Sequence, residues 1–210
     1  MKKIIHIADF FSTEIRGGGE LVDGIVTSSL VEKGHSISRV KSKDVKEKFI
    51  KDNADKLFIV SNFVMLNPTC LRLLQTCDYV IYEHDHKYIV GRDPSPYKDY
   101  KVPANKLTNL EFYRNAKAVF AQSKLHAEVI SKNIRGANVV NLGCSLWSES
   151  ELETLQKYID IKKNGKMAVL NSANQVKGTY QAKSFCEKND IDYNFIVSLD
   201  YNNFIKQLAE

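Results

Sequence analysis

Cysteine is scarce and unpatterned in this chain of 210 residues. Cys70, Cys77, Cys144 and Cys186 form no Cys-x-x-Cys pair and fit no zinc spacing, which argues against a disulfide framework and a structural metal. All four are expected to be reduced thiols that mostly pack, in a cytoplasmic protein. Long apolar runs are missing as well; none approaches the roughly 18 residues of a membrane span. The first residues are basic and then apolar, as in a signal peptide, but His6 and Asp9 interrupt them, and a buried first strand is the better reading. No internal repeat or low-complexity segment is present. The net charge of +5 comes from 30 basic and 25 acidic residues. The lysines are not clustered with aromatics, so no nucleic-acid surface is indicated, but the surplus leaves room for phosphorylated small molecules or peripheral contact with an anionic membrane.

What is present is an alternation. Short apolar runs rich in Val, Ile, Tyr and Phe occur at residues 4–8, 36–40, 56–60, 78–82, 118–122 and 138–142. Apolar residues on consecutive positions suit strands covered on both faces, as in a parallel sheet. Helical spacing recurs between them: a first helix ends at Lys33-Gly34, Pro68 starts a helix over 69–75, and further helices are predicted over 105–115 and 124–133, the last with Ser123 as N-cap. Residues 91–103 carry Pro94, Pro96 and Pro103 and read as a long irregular loop. An interdomain helix is expected within 146–163, started by Ser148-Glu149-Ser150-Glu151. Strands at 167–170 and 193–197 then alternate with helices at 179–188 and 201–208. The expected fold class is α/β: a Rossmann-like parallel sheet with helices on both faces, followed by an incomplete second α/β unit. The expected divisions are residues 1–145, a linker at 146–165, and the start of a second domain at 166–210.

Three segments could carry chemistry. Gly17-Gly18-Gly19-Glu20 follows the first strand and opens the first helix; glycines permit close approach of a ligand, and exposed N–H groups at a helix start attract anions. The spacing is not Gly-x-Gly-x-x-Gly, and a plain flexible turn accounts for it too. Glu83-His84-Asp85-His86 follows the fourth strand. It fits sugar or phosphate recognition, a metal site, or a solvated loop start, with the metal reading the weakest because no second ligand cluster is visible. Lys177-Gly178 enters a helix, where a lysine is well placed for a phosphate or is an ordinary surface lysine. Isolated His6, His35 and His126 are read as structural or exposed.

In this order the three segments resemble retaining glycosyltransferases of the GT-B fold, the "group 1" family, together with Ala118-Val119-Phe120-Ala121-Gln122-Ser123-Lys124 and Val139-Val140-Asn141-Leu142-Gly143. The resemblance implies two Rossmann-like domains across a cleft, an acceptor side at 1–145 and a donor side beginning at 166. It implies transfer of a sugar from a nucleotide-sugar donor to a hydroxyl of a glycan or lipid acceptor, without a metal or other cofactor. Catalytic roles would fall to His84 and Asp85. Substrate contacts would come from Gly17, Gly18, Gly19, Glu20, Glu83, His86 and Ser123, and donor-diphosphate contacts from Lys177 and Gly178. Asn171-Ser172-Ala173-Asn174 stands where the family carries an arginine, and no two glutamates lie eight apart, as the family's acidic motif requires. The chain is therefore expected to be truncated within its second domain and to have little turnover by itself. The alternative is a non-catalytic Rossmann-type module that binds a phosphorylated metabolite or a partner chain, with homo-oligomers forming through the unfinished second sheet.

Overall fold

The computed structural model describes residues 1–15, 17–197 and 200–210. They form two compact units, Met1–Leu146 and Trp147–Glu210. In the first, six strands make one sheet: β1 (Lys3–Ala8), β2 (Ser36–Lys41), β3 (Leu57–Val60), β4 (Asp78–Glu83), β5 (Val119–Ala121) and β6 (Val139–Asn141). Their order is β2-β1-β3-β4-β5-β6 and every pairing is parallel. Five helices connect them: α1 (Gly18–Glu32), α2 (Glu47–Lys51), α3 (Pro68–Leu74), α4 (Leu110–Arg114) and α5 (Lys124–Asn133).

The order dictates where the helices go. From β1 the chain steps outward to β2, then returns past β1 to β3, so two right-handed crossovers in opposite directions put their helices on opposite faces. Alternation along the strands agrees. Ile5, Ile7, Phe58, Val60, Tyr79 and Ile81 join one core with Ile50, Leu74, Phe112 and Ile130 from α2, α3, α4 and α5. His6, between Ile5 and Ile7, points the other way and meets Thr27 of α1. The reversal of strand order between β1 and β3 is the switch point at which open α/β sheets bind ligands, beyond the carboxyl ends of the strands.

Local signals place the ends of the elements. Asn67 accepts from the Thr69 N–H and Pro68 follows it as the first helical residue of α3. Ser123 caps α5 by accepting from the His126 N–H. Gly34, at φ 82°, lets the chain leave α1 in the left-handed region. Cys70 is buried, as packing requires, whereas Cys144 is exposed.

Two expectations need correction. The helix over 105–115 is only its last part, α4. Residues 88–90 and 106–108 pair instead, with Val90 donating to Lys106 O and Thr108 to Tyr88 O, and this tertiary ladder overrides helical propensity. The helix within 146–163 is confined to α6 (Glu149–Gln156), started by a Ser148/Glu151 capping box and ended by tighter bonds from Tyr158 to Leu155 and from Ile159 to Gln156. Helix α2 was not foreseen; five residues are too few for a periodic signal.

The second unit pairs β7 (Met167–Leu170) and β8 (Tyr193–Ile196) in parallel, with α7 (Thr179–Lys188) between them and α8 (Tyr201–Ala209) after. Its ends are tied: Asn164 N–H donates to Glu210 O at 2.7 Å, and Lys163 Nζ to Ala209 O at 2.8 Å.

Phe58 has no exposed surface at the centre of the first core. Phe58→Ala is expected to cost about 3–5 kcal/mol, read as a lowered urea midpoint at unchanged m-value.

Candidate functional site

Three strand ends converge at the carboxyl edge. After β1, Gly17 precedes α1, whose first N–H groups receive no side-chain cap. Glu20, in the first turn, folds back over the loop, and a Cβ on Gly17 would collide with its carboxylate. Gly19 has a different reason to lack a side chain. A Cβ there would lie 3.3 Å from Cγ of His84, so the glycine lets α1 settle against that imidazole. Gly18 faces open space. The glycine loop and the first histidine after β4 are thus immediate neighbours, 65 residues apart in sequence.

His84 is held at both ring nitrogens. Nε2 lies 2.9 Å from Asp23 Oδ1, and Nδ1 lies 2.7 Å from Nε2 of Gln122, at the end of β5. Asp23, whose carboxylate can only accept, takes a hydrogen bond from Nε2–H, and the bare Nδ1 accepts from the Gln122 NH₂, whose Oε1 accepts from Ser145 Oγ at 3.0 Å. Nε2 therefore carries the ring proton and donates it to Asp23. Asp23 is 3% exposed and His6 joins it from β1, with Nε2 3.6 Å from Oδ2 and 2.6 Å from Ser61 Oγ. Thr27 Oγ donates to Asp23 O at 2.6 Å, so it accepts from His6 Nδ1 at 3.2 Å. Burial opposes ionisation of Asp23, but the His6 and His84 imidazoles beside it outweigh that cost and hold its pKa at about 2.

The turn after β4 is built around Glu83, which has no exposed surface. Its Oε1 accepts from Lys87 Nζ at 3.0 Å and from the Asp85 N–H at 2.9 Å, and its Oε2 from the Tyr113 hydroxyl. Burial works against the charge, but Lys87, Tyr113 and the Asp85 N–H bring the pKa down to about 2. Lys87 is 4% exposed; burial disfavours its charge, and Glu83 and Asp85 more than restore it. Asp85 is half-exposed and bonds Lys87 at 2.5 Å and Arg92 at 2.6 Å. His86 takes the left-handed region at φ 57°, bonds the Tyr88 hydroxyl at 2.8 Å and sets its ring edge-on to His126 at 4.7 Å. Burial lowers the pKa of His86, and burial plus the His86 charge lowers that of His126 to about 4.

The residues singled out in the sequence thus occupy distinct places. Gly17, Gly18, Gly19, Glu20 and His84 gather at one spot. Glu83 points inward and Asp85 is ion-paired at the rim. His86 lies against α5, and Ser123 is engaged as the cap of that helix. Lys177 and Gly178 lie in the second unit: Lys177 is exposed, Gly178 takes φ 69° before α7, and Thr179 Oγ draws the loop together by donating to Leu170 O at 2.6 Å. Among the described residues no group of three His, Cys, Asp or Glu side chains is placed to hold a metal ion, and no helix is long and apolar enough to cross a membrane. A groove of about 930 Å³ lined by Lys101, Leu110, Arg114 and Lys132 contains none of the site residues.

Four participants were not foreseen: Asp23, His6, Gln122 and Lys87. Asp23 lies three residues after Glu20 and four before Thr27, a polar stripe on an otherwise apolar helix that could have been noticed. His6 interrupts a buried strand, which makes a satisfied partner necessary. Lys87 resembles any surface lysine, and nothing in the sequence announces its burial.

No family model matches this chain, and no curated protein matches its sequence. Solved structures do match. One is an alpha-glucosyltransferase in complex with UDP and a 13-mer DNA containing a central A:G mismatch (TM-score 0.52, 15% identity, 90% of this chain and 52% of that one). Another is an alpha-glucosyltransferase in complex with UDP and a 13-mer DNA containing a HMU base (TM-score 0.53, 14% identity, 89% and 53%). The chain has the Rossmann-like α/β fold of these GT-B-type glycosyltransferases and spans about half their length. At this identity the likeness establishes the fold alone.

Removing Lys87 would strand a buried carboxylate. Lys87→Met is expected to cost about 3–5 kcal/mol, and adding Glu83→Gln to it should recover part of the loss. The folded-state pKa of Glu83 is depressed, so the stability it contributes is complete above its ordinary value of 4.5 and is lost as pH falls towards about 2. Urea midpoints across that range should converge for the wild type and Lys87→Met/Glu83→Gln.

Proposed function

We propose that this chain is part of a glycosyltransferase that transfers a sugar from a nucleotide-sugar to a hydroxyl acceptor, of the retaining "group 1" type. The observation that carries the reading is the contact between Gly19 and the His84 ring, which brings a helix N-terminus and a histidine together at the carboxyl edge beside the reversal of strand order. Breaking a sugar–phosphate bond builds negative charge on the leaving diphosphate, and fixed N–H groups and cations stabilise it. The residues proposed for this are Gly17, Gly18 and Gly19 with Glu20 beside them, and Lys177 and Gly178 in the second unit. His84 and Asp85 are proposed to meet the transferred sugar. Glu83 and His86 shape the turn that presents them, and Ser123 starts the helix that His86 packs against.

UDP in the similar structures supports a nucleotide-sugar as donor. Two of them also hold DNA, so the expectation that nucleic acid plays no part finds no support there, and the acceptor class is left to experiment. We extend the proposal to peripheral membrane contact, self-association through the second unit and a cytoplasmic location.

Titration of the ¹⁵N-labelled chain with UDP-glucose should move the amides of residues 17–20, 84–86 and 177–179. His84→Ala should weaken that response about tenfold or more. Shifts confined to other surfaces, or none with UDP-, GDP- and ADP-sugars alike, would retire the proposal.

A further inference from the structure

The nitrogen of His84 that a ligand would meet is fixed by a residue outside the glycine loop and the turn after β4. We infer that Asp23 is the positioning residue of the site: by taking the Nε2–H of His84 it leaves Nδ1 as the lone-pair nitrogen that accepts a hydrogen bond from a sugar hydroxyl. This rests on the nucleotide-sugar reading above and names the atom and its polarity.

Asp23 suits this task. Its Oδ1 is 2.9 Å from Nε2, it is 3% exposed, and α1 places it one turn beyond Gly19, which packs under the same ring. Asp23 is itself braced. His6 lies beside Oδ2, and Thr27, one turn further along α1, ties His6 to the backbone of Asp23. A carboxylate enclosed in this way cannot rotate without losing several bonds, so the imidazole behind the glycine loop keeps one orientation and one tautomer. On the other side, Nδ1 faces an amide NH₂ donor, Gln122 Nε2 at 2.7 Å. Gln122 is only partly buried, and its oxygen is satisfied by Ser145. A ligand O–H can replace that one N–H as donor to Nδ1 and leave the rest of the network intact. A carbonyl oxygen cannot, because Nδ1 carries no proton to give and Nε2 is already engaged. The site is therefore built to receive a hydroxyl and to reject an acceptor-only group at that position.

The test is the ring proton. In ¹⁵N-histidine-labelled protein above pH 8, the two-bond proton–nitrogen spectrum should show His84 with Nε2 protonated, Nδ1 bare, and an observable N–H resonance protected from water. Asp23→Leu should lose that resonance to exchange and weaken the response to UDP-glucose by about 10- to 100-fold. Asp23→Asn, whose carbonyl oxygen still accepts, should keep the resonance and most of the response. Gln122→Ala, at a partly exposed position, should leave Nδ1 bare, and it serves if the leucine variant does not fold. A proton on Nδ1 in the wild type or in Gln122→Ala, or undiminished protection in Asp23→Leu, overturns the inference. The expected ring pattern with no response to any nucleotide-sugar upholds the Asp23–His84 pair and defeats the functional reading beneath it.

Discussion

Three carboxylates are enclosed where the sheet ends, and a carboxylate without water must be answered on every side. Asp9 follows β1 and receives the N–H groups of Val64 and Met65 and the Ser42 hydroxyl, so it ties the loops after β2 and β3 to its own. Asp23 ties α1 to β1 and to the turn after β4, and Glu83 ties that turn to α4 through Tyr113. Each acid spans elements distant in sequence. Apolar packing fixes the sheet and its helices, and these acids fix the loops that the sheet leaves free.

The framework was readable because a strand buried on both faces is written as consecutive apolar residues, as in β1, β3 and β4. Pro68 and the caps at Ser123 and Ser148 marked helix starts equally well. Reading failed where long-range contacts decide. Residues 106–108 look helical, but they pair with 88–90, a segment that has no signal of its own. Five residues of α2 hold too little pattern to register.

The candidate site divides along the same line. Gly17 to Glu20 and His84 were conspicuous because glycines and titratable groups next to an apolar run attract notice. Glu83 and His84 are adjacent in sequence, yet one turns into the core and the other towards α1, and only the surrounding packing separates their tasks. Asp23 was passed over because a single acid on a helix is normally solvated. Its meaning comes from two histidines, one on β1 and one just after β4. The arrangement lies on a fold shared with glycosyltransferases, and its geometry is set by which polar groups hold one another rather than by any single motif.

The space left by the missing methyl of Gly19 has an evolutionary corollary. A homologous chain that gains a side chain at residue 19 needs whatever occupies residue 84 to give way by a few tenths of an ångström, so the two positions are coupled. Their joint variation, set beside a third column at residue 23, would separate descendants that kept this hydrogen-bonded ring from those that kept only the sheet.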